Sequence, residues 1–221
     1  MKLDDIKGRI PKEFFDVLLS QGIADLRPAQ AKAIENGLLD RKSQLVCTPT
    51  ASGKTLVAEL AFSQAILERK AKAVYIVPLK ALANEKFKEF KQKYGHLFRV
   101  ALSIGDIDSV DSYLADYDLI ICTAEKLDSL MRHRSPWLSM VSLVVVDEIH
   151  LLNDVDRGPT LEILITMLRQ LLPDMQLIGL SATIGNPKEL ADWLKANLVF
   201  DSWRPVKLHQ GVYLKGEVEF Y

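Results

Sequence analysis

Two short stretches of this chain have residue types and spacing suited to phosphate chemistry. The first is Thr48 to Thr55, TPTASGKT, which follows the apolar run Gln44-Leu45-Val46-Cys47 and leads into the segment Leu56 to Phe62, read as amphipathic. A strand, a tight polar turn ending in Gly-Lys-Thr and then a helix is the layout of a phosphate-binding loop. There, backbone N–H groups and a helix N-terminus face an anionic phosphate. In this reading Thr50, Ala51, Ser52 and Gly53 line the cradle, Lys54 reaches the outer phosphates, and the Thr55 hydroxyl ligates Mg²⁺. Thr48 stands where the pattern G-x-x-x-x-G-K-[ST] has its first glycine, so the stretch alone also fits a Ser/Gly helix-capping turn.

The second stretch is Asp147-Glu148, delivered by the valines Val144 to Val146. A phosphate-loop hydrolase needs an acidic residue to hold Mg²⁺ and often a carboxylate to orient or deprotonate the attacking water. Asp147 suits the metal role and Glu148 the water role. Alone, the pair is equally a solvated cap on the following segment.

The elements that must position these residues follow one grammar. The apolar runs Leu45 to Cys47, Ala73 to Val77, Val100 to Ile104, Leu119 to Cys122, Leu143 to Val146 and Leu177 to Leu180 are short, and most are rich in β-branched residues. They suit strands buried on both faces. Helical patterns occupy 54–70, 79–94, 124–132 and 159–171, with further helices at 11–22, from Pro28 towards Leu39, and from Asn186-Pro187 through Leu194. Alternation of this kind predicts an α/β fold, a mainly parallel sheet with helices on both faces, and a site beyond the carboxyl ends of its strands. Each run ends in a polar or glycine-bearing turn: TPTASGKT, Pro78-Leu79-Lys80-Ala81, Gly105-Asp106, Thr123-Ala124-Glu125-Lys126, Asp147-Glu148-Ile149-His150 and Ser181-Ala182-Thr183. The tail 206–221 alternates around Lys215-Gly216, a candidate hairpin turn, and reads as an edge extension or a linker.

The totals exclude several classes. With 221 residues, 48% hydrophobic and 26% charged, the chain suits one well-filled core. A net charge of -1 provides no global basic field, so any nucleic-acid site must be a local patch. The two cysteines, Cys47 and Cys122, read as small buried residues rather than a disulfide framework. No apolar stretch reaches transmembrane length and the first 20 residues carry charge throughout, so the expectation is a soluble, cytoplasmic protein without membrane or signal segment.

Taken together, TPTASGKT, DEIH and SAT resemble motifs I, II and III of the superfamily two helicases, with PLKALA similar to motif Ia and TAEK to motif Ib. That superfamily often has Ala or Thr at the position of Thr48. LRPAQAKAI, the Gly105-Asp106 pair, DEIHLL, RGPTLE, LSATIGNPKELADWL and WRPV narrow the resemblance to the superkiller-type branch, nearest the archaeal DNA helicases of the Hjm/HelQ type. The resemblance implies a RecA-like three-layer sandwich, ATP and Mg²⁺ as cofactors, and 3′-to-5′ translocation on single-stranded or forked DNA in replication-fork repair and recombination. It also implies association with the nucleoid, and the chain is expected to act as a monomer.

Carried over residue by residue, the resemblance makes Lys54, Asp147 and Glu148 catalytic, Thr55 and Asp147 the Mg²⁺ ligands, and Gln30 the reader of adenine. It makes Lys80, Thr123 and Lys126 nucleic-acid contacts, and His150, Ser181 and Thr183 the coupling residues. The expected layout is N-terminal helices over 1–40, a first RecA-like motor domain over 41–200, and a linker or extension over 201–221. A second RecA-like domain, in cis in the parent protein, would complete the ATP site with an arginine. An RNA helicase of the same branch, or a nucleotide-gated binding module without turnover, are the alternatives left open.

Overall fold

The computed structural model describes residues 1–105, 111–207, 209 and 211–220. Asp106, one half of the Gly105-Asp106 pair, lies outside them. Seven strands form one sheet in the order β3-β4-β2-β5-β6-β1-β7, with every neighbouring pair parallel. They are β1 (Gln44–Cys47), β2 (Lys72–Val77), β3 (Val100–Ser103), β4 (Leu119–Thr123), β5 (Val141–Val146), β6 (Gln176–Ser181) and β7 (Asn197–Phe200). Their β-branched side chains are buried along most of their length, as strands covered on both faces require. The helices are α1 (Lys12–Ser20), α2 (Pro28–Glu35), α3 (Thr55–Leu67), α4 (Lys80–Tyr94), α5 (Ala124–Arg132), α6 (Gly158–Leu171) and α7 (Pro187–Leu194).

The sheet separates two apolar cores. On one side Phe14, Phe15, Leu18, Phe62, Phe90 and Tyr94 from α1, α3 and α4 pack onto Val46, Tyr75, Ile121 and Val145. On the other, Leu127, Leu130, Leu164, Ile165 and Leu194 from α5, α6 and α7 pack onto Leu45, Val74, Ile120 and Val144. This is the expected three-layer sandwich. Because all seven strands run the same way, their carboxyl ends share one edge, and the turns that carry polar residues are gathered there.

Local chemistry sets the helix boundaries at this edge. Thr123 accepts the Lys126 N–H and caps α5. Asp154 accepts the N–H groups of Asp156 and Arg157 at 3.1 and 2.9 Å, just ahead of α6. Gly158 opens α6 where a Cβ would sit 2.2 Å from the Leu152 carbonyl, so only glycine permits this approach.

Two expectations are corrected, a seventh strand is added, and the expected tail hairpin is found apart from the main sheet. The segment after the phosphate loop is not amphipathic: every residue from Leu56 to Ser63 is buried, because α3 is enclosed by the sheet and its neighbouring helices. Helix α2 ends at Glu35 rather than near Leu39, and Gly37 turns the chain with φ +88°. The edge strand β7 escaped notice because only Val199 in it is buried, so the apolar signal was thin. The tail forms a hairpin, β8 (Gly211–Leu214) with β9 (Glu217–Phe220), around Lys215 and Gly216, both at positive φ. It is a separate two-stranded sheet, while β7 occupies the edge beside β1.

Candidate nucleotide and nucleic-acid site

The loop between β1 and α3 takes its shape from two left-handed residues, Ala51 at φ +65° and Gly53 at φ +89°. Alternating backbone signs in a tight turn gather successive N–H groups on one side. Helix α3 has no side-chain cap: the Leu56 and Val57 N–H groups turn back onto the Gly53 and Lys54 carbonyls, and the positive end of the helix dipole faces the loop. Thr48 is not in a left-handed conformation, and its hydroxyl bonds the Ser52 hydroxyl at 2.6 Å with both side chains buried. A threonine therefore braces the loop where the general pattern places a glycine. Ser52 spends its side chain on that brace and donates its N–H to the Pro49 carbonyl at 3.3 Å, while Thr50 and Ala51 are exposed and Thr55 is half-buried.

Lys54 is 8% exposed and its ammonium has no hydrogen-bond partner among the described residues. The nearest opposite charge is Glu148 Oε2, at 3.8 Å. A buried ammonium without hydrogen bonds is costly and calls for acceptors closer than the Glu148 carboxylate.

The carboxylates stand two strands away. β6 separates β1 from β5, with Val146 level with Gly179 and Cys47 level with Ser181. Asp147 and Glu148 are half-buried at the end of β5. Asp147 Oδ1 accepts the Glu148 N–H at 3.0 Å, and Oδ2 accepts the Tyr75 hydroxyl at 2.8 Å. Glu148 has φ +50°, an uncommon conformation for a side-chain-bearing residue. Its carboxylate reaches towards Lys54 on one side and lies 3.4 Å from His150 Nδ1 on the other, a contact without hydrogen-bond geometry. Ser181 is fully buried beside the Cys47 thiol and its carbonyl accepts the Thr48 N–H, whereas Thr183 is exposed. Burial pushes the Cys47 thiol up, with Ser181 and Lys54 pulling back in part, and pushes Cys122 up to about 12, so neither is a reactive thiolate.

Gln30 is 3% exposed and already employed. Its Oε1 accepts the Arg27 N–H at 2.8 Å and its Nε2 donates to the Gly53 carbonyl at 2.8 Å, while Arg27 Nη1 donates to the Ala51 carbonyl at 2.9 Å. Helix α2 thus grips the phosphate loop from outside. A cleft of about 570 Å³ opens at this grip, lined by Gly22, Asp25, Arg27, Gln30, Gly53 and Thr55 among others. Arg27 and Tyr75 were not singled out from sequence. Tyr75 is the sole hydrogen-bonding side chain in the run from Ala73 to Val77, and that was the available signal.

The candidate nucleic-acid residues lie on the other half of the edge, after β2 and β4. Lys80 is exposed at the start of α4. Thr123 is 5% exposed and serves as a helix cap. Lys126 is 1% exposed and its ammonium pairs with Asp111 at 3.0 Å, with Asp111 also accepting the Ser103 hydroxyl at 2.7 Å. Lys126, expected as a nucleic-acid contact, thus has its charge committed to Asp111 inside the protein.

The DEAD/DEAH box helicase family model matches residues 27–190. The chain is 53% identical over 218 residues to the ATP-dependent DNA helicase Hel308 of Pyrococcus horikoshii, covering 99% of this chain and 30% of that protein. It is 54% identical over 215 residues to the Hel308 of Methanocaldococcus jannaschii, covering 94% of this chain and 18% of that protein. The chain therefore spans less than a third of the length of these curated relatives. Among solved structures, the DUF1998 helicase MrfA bound to DNA superposes with a TM-score of 0.77 at 27% identity, over 88% of this chain and 30% of that one. The expected superfamily two resemblance of the Hjm/HelQ type agrees with these relatives. With its loop, its paired carboxylates and a family match running from Arg27 to Leu190, the chain belongs to the DEAD/DEAH box helicases.

Proposed function

We propose that this chain is the first, ATP-binding motor domain of an ATP-dependent 3′-to-5′ DNA helicase that acts intracellularly in replication-fork repair and recombination. The observation that carries the reading is the buried Lys54 ammonium, which has no hydrogen-bond partner among the described residues and lies at the mouth of the phosphate loop. The loop's backbone and Gly53 cradle the phosphates, and Lys54 exchanges its long contact with Glu148 for the outer phosphates. A Cβ at position 53 would fall 2.7 Å from Gln30 Nε2, which supports a loop shaped to fit closely. The Thr55 hydroxyl and Asp147 would hold Mg²⁺, which would supply positive charge to offset that of the phosphates.

Glu148, released by Lys54, orients water and takes its proton as the water oxygen bonds phosphorus and the bond to ADP breaks. His150, beside Glu148, and Ser181, whose carbonyl holds the start of the loop, carry nucleotide state along the edge together with Thr183. Gln30 reads adenine with the donor and acceptor that its bonds to Arg27 and Gly53 leave over. Lys80 and the Thr123 hydroxyl contact the backbone of the translocated strand, where a point charge and a hydroxyl suffice.

Fluorescent ATP-analogue binding to this chain tests the reading. Lys54→Ala should weaken binding by roughly ten- to hundredfold, the worth of hydrogen bonds to a charged group. Glu148→Gln should spare binding, and should abolish turnover in the protein that carries the second motor domain. Undiminished affinity in the lysine variant refutes the site. Stimulation of turnover by single-stranded RNA rather than DNA would instead make the substrate RNA.

A further inference from the structure

Of the two hydrogen bonds that orient Asp147, one is local and one is not. The Glu148 N–H belongs to the same turn, but the Tyr75 hydroxyl comes from the neighbouring strand. On β2, Tyr75 is level with Val145, two positions before Asp147, and its side chain is wholly buried. The ring lies edge-on to Phe90 of α4, with centroids 5.2 Å apart and planes at 73°, so packing holds the ring and Asp147 holds the hydroxyl. The hydroxyl donates to Asp147 Oδ2 at 2.8 Å, and among the described residues no other contact of the buried ring competes for it. A phenylalanine would fill the same apolar space; what the tyrosine adds is one hydroxyl aimed at one carboxylate.

We propose that Tyr75 is a positioning residue for Mg²⁺, its phenol fixing the Asp147 carboxylate in one orientation before the metal and nucleotide arrive. A carboxylate that rotates freely must give up that freedom when it ligates or hydrogen-bonds a hydrated cation, and one already held does not. The inference rests on the assignment of Asp147 to Mg²⁺ made above, and goes beyond it by naming the residue that sets the carboxylate.

The test is the Mg²⁺ dependence of fluorescent ATP-analogue binding to the chain, measured for Tyr75→Phe, Asp147→Asn and the unaltered protein, with melting curves to establish that each is folded. In Tyr75→Phe the Mg²⁺ concentration for half-maximal tight binding should rise on the order of tenfold or more, while affinity in EDTA stays unchanged. In Asp147→Asn, Mg²⁺ should no longer strengthen binding. An unaltered Mg²⁺ titration in Tyr75→Phe overturns the proposal, as does an equal loss of affinity with and without Mg²⁺, the signature of a structural role alone. If Mg²⁺ strengthens binding to Asp147→Asn as it does to the unaltered protein, the assignment of Asp147 itself fails and the proposal falls with it.

Discussion

A single hydroxyl resolves the one irregular position in the phosphate loop. Thr48 occupies a place where glycine is the commoner choice, yet its backbone needs no glycine and its Oγ1 is 2.6 Å from Ser52 Oγ inside the protein. Thr48→Gly, which restores the general pattern, should therefore destabilise the chain. It strands the buried Ser52 hydroxyl, a loss of about 1–3 kcal/mol, and frees the backbone of a loop that must stay in shape. Urea denaturation of the two proteins measures it, and equal midpoints would count against the brace. Gly53 is the opposite case, since both its φ of +89° and the contact of Gln30 and Arg27 against it demand the absence of a side chain.

At the scale of elements, α2 is tied to two things at once. Its N-terminal side grips the phosphate loop through Arg27 and Gln30, and Lys32 binds the chain that leaves β7. Lys32 Nζ is 2.6 Å from Asp201 Oδ2 and also donates to the Phe200 carbonyl, while Asp201 Oδ1 accepts the Trp203 N–H at 2.7 Å. The Arg27 guanidinium lies over the Trp203 ring at 5.7 Å, so loop, helix and departing segment form one connected unit. Burial alone would raise the Asp201 carboxyl, but the Lys32 bond and the Trp203 N–H outweigh it and hold the group below the ordinary carboxylate range. A depressed folded pKa adds stability that is present above the unfolded value, about 3.9, and lost as pH falls through the lower folded value. Asp201→Asn should thus lower stability by a constant amount above about pH 5, and the two proteins should converge in more acid solution. Denaturant titrations between neutral and acid pH read the difference. A gap that widens towards acid would contradict the pairing.

Across the whole molecule the strand order divides the working edge. The nucleotide loop sits after β1, the candidate DNA contacts sit after β2 and β4, and β5 with Asp147 and Glu148 lies between. The net charge of -1 gives the fold no general attraction for DNA, so the proposed DNA binding rests on a local patch at that half of the edge. An arginine supplied across the cleft of such motors is worth orders of magnitude in phosphoryl transfer, and the mechanism proposed here draws none from this chain. The 221-residue chain by itself is therefore expected to bind ATP with Mg²⁺ while hydrolysing it at close to background, with or without single-stranded DNA. A coupled-enzyme assay of phosphate release checks this, and vigorous DNA-stimulated turnover would show that the chain needs no second motor domain.

Much of the fold and of the site was legible because its signals are local. β-branched runs of four to six residues mark buried strands, Pro and capping residues mark helix starts, and Gly-Lys-Thr and Asp-Glu stand directly after strands where a parallel sheet exposes them. These depend on neighbours a few residues apart, so the chain's own order determines them. Strand adjacency does not, because a crossover of a given length can reach several positions in a sheet. Only the packed structure therefore set β6 between the phosphate loop and the carboxylates, and brought Tyr75 to Asp147. The same long-range packing enclosed α3 and drew Lys126 inward to Asp111, which a lysine's place at a helix start does not foretell. The residue types of the candidate site came from the sequence; their distances, and which of them reach solvent, came from burial across the two faces of the sheet.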